Sequence, residues 1–97
     1  MRHYHRTHVT PALVLVAADD YFPTLGLPRQ SSSARSRVYA GELGTVKLSA
    51  KPEGGHYTLI EAETDQVGES RLDRNVKRFF VRVHRQADPM HKLAAAY

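Results

Sequence analysis

Ninety-seven residues, 41% hydrophobic and 25% charged, provide for one small core and leave little room for a deep enclosed cavity. The absence of cysteine excludes disulfides, thiolate metal sites and cysteine nucleophiles, and it suits a reducing, cytoplasmic setting. A formal charge of +4 and a pI of 9.7 point to an anionic partner, either nucleic acid or an acidic protein.

Arg2 to His8 (RHYHRTH) is basic and histidine-rich, and residues 1–9 are expected to form an arm or an edge strand. His3 and His5 would face the same way on a strand, but no further cluster supplies the third and fourth ligands of a zinc site, so no metal is expected. The longest apolar run, Pro11 to Ala18, is far short of the ~20 residues that span a bilayer, so no membrane crossing is expected. Its β-branched Val14 and Val16 lead us to expect a strand covered on both faces. Asp19 and Asp20 then suggest a turn or a cap.

Tyr21 to Arg37 reads as a long loop punctuated by Pro23, Gly26 and Pro28, with Arg29, Arg35 and Arg37 scattered among serines. Thr45 to Ala50 alternates, placing Val46, Leu48 and Ala50 on one face. Lys51 to Gly55 is a turn by composition and His56 to Glu63 resumes as a strand, which predicts a hairpin.

Arg71 to Arg85 admits two readings. As a helix it aligns Leu72, Val76, Phe79 and Val83, with Ser70-Arg71-Leu72-Asp73 as a loose capping box. As a strand, Phe79, Val81 and Val83 alternate against Arg78, Phe80, Arg82 and His84, and the aromatic and β-branched content favours the strand. The expected core is Val14 or Leu13, Leu15 or Val16, Val46, Leu48, Ile60 or Leu59, Phe79 and Val81. Residues 90–97 are set aside as a tail, since Lys92 to Ala96 resembles the translation of common cloning sites.

The fold class expected is α+β or mainly β: a single domain with a small antiparallel sheet or open barrel of four to six strands and one or two short helices. Its strongest functional feature is the stretch Arg71 to Arg85, with six cations against the single acid Asp73. Arg78, Phe80, Arg82, His84 and Arg85, helped by Arg35 and Arg37, form the expected binding face: arginines for phosphate, Phe80 for base stacking. The plain alternative pairs these arginines with Glu61 and Glu63 across strands.

No Walker, Gly-x-Gly-x-x-Gly or Gly-x-Ser-x-Gly motif is present, and no cofactor is expected. The function expected is non-enzymatic binding of nucleic acid. One alternative is an inhibitor or adaptor, of the kind small viruses and plasmids encode, docking on an acidic protein. Another is a small ribonuclease-type toxin using His84 or His56 as base beside Arg78 and Arg82. The sequence leaves the oligomeric state open.

Overall fold

A computed structural model of the chain describes residues 1–87. It is an α+β fold: an open five-stranded antiparallel sheet with two helices packed on one of its faces. The elements are β1 (Arg2–Thr7), α1 (Pro11–Tyr21), a 3-10 turn (Phe22–Leu25), β2 (Arg29–Ser32), β3 (Ser36–Gly41), β4 (Gly44–Glu53), β5 (Tyr57–Thr64) and α2 (Arg71–Ala87). Strands β2 to β5 form a meander, and β1 pairs with β5 to give the order β1-β5-β4-β3-β2. The amino-terminal basic stretch is therefore an edge strand, and the barrel alternative does not form.

The predicted hairpin is present and longer than expected, running from Val46 opposite Thr64 to Glu53 opposite Tyr57. Gly54 and Gly55 close it with φ of 45° and 68°, left-handed values that a side chain would resist. Alternation sends Val46, Leu48, Ala50, Ile60 and Ala62 inward, all fully buried. At the next turn β3 passes close to the segment before β2, and a Cβ on Gly41 would run into the Gly26 carbonyl.

Pro11 to Ala18 is a helix and not the doubly covered strand expected. Pro11 occupies the first turn, where its missing N–H costs nothing, and the Val14 amide bonds to the Thr10 carbonyl at 3.0 Å. Helix α1 buries Val14, Leu15, Ala18 and Tyr21 over β4 and leaves Leu13 and Val16 about half exposed. Beyond it, Phe22 caps the core from the 3-10 turn, stacked on Tyr39 at a ring separation of 5.0 Å. The expected loop of residues 21–37 is thus largely ordered into this turn, β2 and the start of β3.

Phe79 to His84 is also helical, so the strand preference fails there. Helix propensity and capping combine over α2, where Leu72, Val76, Phe79 and Val83 make a buried stripe at helical spacing. Aromatic content had favoured β structure, but this apolar stripe needed a sheet to cover, and only a helix presents it on one side. Val81, expected in the core, is 49% exposed as a consequence. The expected tail at residues 90–97 lies outside the described residues.

Candidate functional site

Helix α2 begins with the capping box that the sequence suggested. The Ser70 hydroxyl accepts from the Asp73 amide at 3.0 Å and donates to the Asp73 carboxylate at 2.5 Å. Asp73 is fully buried and also accepts from Thr64 of β5 at 2.8 Å and meets His3 Nε2 of β1 at 2.7 Å. Burial by itself would raise its carboxyl, but the bonds from Ser70, His3 and Thr64 outweigh that and hold it below the usual range. Two turns further along α2, His5 stacks on Phe80 at 5.2 Å and meets His84 edge-on at 6.5 Å. These contacts set the rotation of α2 about its own axis, which decides what the helix presents to solvent.

What it presents is arginine. Arg71, Arg74, Arg78, Arg82 and Arg85 follow at spacings of 3, 4, 4 and 3, so they fall within about 80° of helical arc and extend over about 21 Å. All five are exposed. Among the described residues none is ion-paired with a carboxylate; Lys77, off this row, pairs with Glu69 at 2.9 Å. Arg74 donates to the Glu69 carbonyl, and Arg82 leans over the Tyr21 ring with its guanidinium carbon 5.2 Å from the centroid. Tyr21 in turn donates to Asn75 at 3.1 Å, tying α1 to α2 behind the row.

The expected binding face is therefore only partly assembled. Arg78, Arg82 and Arg85 belong to the row. Phe80 does not: it points inward, 9% exposed, and is covered by His5, so it offers no base a stacking surface. His84 lies about 160° around the helix from Arg82, on the flank facing His5. The expected cross-strand pairing is also replaced, since Glu61 and Glu63 are approached by Arg2 at 3.6 and 3.8 Å and not by the α2 arginines.

Arg37 is committed elsewhere. Its Nε donates to both Asp19 oxygens at 3.2 Å, and its Nη1 donates to the Ser33 and Ser36 carbonyls. Asp19 also accepts from Arg29 and from the buried Tyr39 hydroxyl, so it is neither turn nor cap but the anchor joining α1 to β2 and β3. Arg35 is exposed at the turn between β2 and β3. Helix α1 on β4 separates that turn from α2, which covers β1 and β5.

The ribonuclease constellation does not come together either. His84 is on the opposite flank from Arg78 and Arg82, and His56 sits in the β4–β5 turn, in a groove with His8, Pro52 and Tyr57. Of the amino-terminal histidines, His3 is held by Asp73, His5 by Phe80, and His8 lies against Tyr57. Among the described residues no group of three or more His, Cys, Asp or Glu could hold a metal ion. No described helix is long and apolar enough to cross a membrane.

Sequence reasoning missed Arg71 and Arg74 as members of the face. The 3-4-4-3 spacing was the available signal, and the strand reading concealed it. No family model, curated protein or solved structure matches this chain.

Proposed function

We propose that the protein is a non-enzymatic binding module that holds nucleic acid, in duplex form, along the arginine row of α2. The observation that carries this reading is the row itself: Arg71, Arg74, Arg78, Arg82 and Arg85 on one helix face, with no carboxylate paired to any of them among the described residues. A row about 21 Å long is long enough to meet several backbone phosphates at once. Guanidinium groups give each phosphate a bidentate, always-charged donor.

The inward position of Phe80 argues for duplex over single strands, because single-strand binders use exposed aromatics on which bases stack. Contacts of this kind position a protein on the backbone and confer little sequence preference. A cytoplasmic setting, where nucleic acid is at hand, agrees with the lack of cysteine.

The test is fluorescence anisotropy at low salt with a labelled duplex and the matching single strand. The reading expects tighter binding of the duplex, lost when Arg74 and Arg78 are both replaced by alanine. No affinity for either oligonucleotide would overturn it and leave an acidic protein surface as the partner for the same arginines.

A further inference from the structure

The two-residue turn between β3 and β4 is held in place from two sides. A Cβ on Gly41 would run into the Gly26 carbonyl, and a Cβ on Gly44, at φ 127°, would come within 3.2 Å of Leu72 of α2. Glu42 and Leu43, the residues of the turn, are thereby fixed beside the first turns of α2. Together with Leu25 they line a groove of about 410 Å³, to which α2 contributes Arg71, Asn75 and Arg78.

The charges in this groove are unmatched. The Asn75 amide is engaged at both ends, accepting from the Tyr21 hydroxyl and donating to the Arg71 carbonyl. Arg71, Arg78 and Glu42 are all exposed, and among the described residues none of the three forms an ion pair. Arg71 and Arg78 stand about 10.5 Å apart along the helix axis, where each can take a phosphate. A carboxylate in the same groove then repels the backbone unless the backbone offers it a hydrogen-bond donor. The DNA backbone has none. The RNA backbone has one on every sugar, the 2′-hydroxyl, and a sugar separates each phosphate from the next.

Given the duplex reading above, on which this rests, we infer that the protein selects duplex RNA over duplex DNA. Glu42 accepts a hydrogen bond from a ribose 2′-hydroxyl lying between phosphates held by Arg71 and Arg78. Discrimination has two sources: RNA supplies the donor, and DNA leaves the carboxylate facing phosphates with nothing to offset the repulsion. Duplex RNA suits such a contact, because its wide, shallow minor groove displays 2′-hydroxyls beside the phosphates.

Fluorescence anisotropy at low salt with duplexes of one sequence, in RNA, DNA and 2′-O-methyl RNA, tests this. The methylated duplex keeps the A-form shape and loses the donor. Wild type should bind RNA about tenfold more tightly than either of the others, the effect of roughly one hydrogen bond to a charged group. Glu42→Ala should bring the affinities for all three close together, with an unchanged melting temperature. Equal binding of RNA and DNA by the wild type, or tighter binding of DNA, overturns the inference and leaves the arginine row standing. So does a preference for RNA that survives Glu42→Ala or extends to the methylated duplex, since helix shape is then what is read. A wild type that binds none of the three overturns the nucleic-acid reading itself, and the selection of RNA with it.

Discussion

His3 Nε2 lies 2.7 Å from Oδ1 of Asp73, and this single contact joins the edge strand β1 to the first turn of α2 across seventy residues of sequence. Both side chains are shielded, at 11% and 1% exposure. The contact matters for function because the orientation of α2 determines where its arginines point.

Removing Asp73 should therefore be expensive. Asp73→Ala takes away the acceptor of Ser70, Thr64 and His3 at once and leaves their polar atoms buried. Hydrogen bonds to a charged group are worth about 1.5–3 kcal/mol each when broken, so the loss should be at least about 3 kcal/mol. His3→Ala should cost less, about 1.5–3 kcal/mol. Urea unfolding of both variants checks the order, and a neutral Asp73→Ala would contradict the network.

Stability should also fall on mild acidification because of His5. Burial beside Phe80, and secondarily the proximity of His84, lowers the His5 pKa below the ordinary value. The unfolded chain then takes up the proton first, so the contribution of neutral His5 is complete above about pH 6.5 and is lost as pH falls from there through the folded-state value. Melting temperatures between pH 8 and 5 should decline in the wild type. The decline should be shallower in His5→Leu.

Phe80 separates folding from binding. As a core residue under His5, its truncation to alanine should cost about 3–5 kcal/mol of stability. If it stacked on bases, the same change would weaken single-strand binding and leave the fold alone. Thermal melts and anisotropy on one preparation distinguish the two roles.

Asp19 offers a parallel case at the β2–β3 end of the same face of the sheet. The Tyr39 hydroxyl is buried and donates to Asp19 at 2.7 Å, and that burial, reinforced by the Asp19 charge, drives the phenol strongly upward in pKa. Asp19→Ala strands this donor along with Arg37, and should cost about 2–4 kcal/mol. Tyr39→Phe removes donor and demand together and should cost less than Asp19→Ala in the same urea titration.

The sequence made the β4–β5 hairpin legible through strict alternation at Val46, Leu48 and Ala50 and through the glycine pair at 54 and 55, whereas β2 lay inside the stretch read as a loop. It made α2 legible only as one of two readings, because Phe79, Phe80, Val81 and Val83 satisfy a period of two nearly as well as one of 3.6. The decisive fact was tertiary: Leu72, Val76, Phe79 and Val83 must all reach the same side of a sheet. Helix α1 misled for a different reason. Apolar residues on every side carry no periodicity, so Pro11 to Ala18 could be read as a buried strand as easily as a helix.

Of the candidate site, Arg78, Arg82 and Arg85 were legible from charge density. Arg71 and Arg74 waited on the helical period. The commitment of Arg37 to Asp19 could not be foreseen, because it depends on α1 lying over the sheet.

The central claim is that the α2 row contacts phosphates, and its most direct test is the salt dependence of duplex binding by wild type and Arg74→Ala/Arg78→Ala. Each phosphate contact contributes about 0.9 to the slope of log affinity against log salt, so the double variant should lower that slope by about 1.8 with its melting temperature preserved. An unchanged slope in a folded variant, or a wild type that binds no duplex at low salt, would contradict the account.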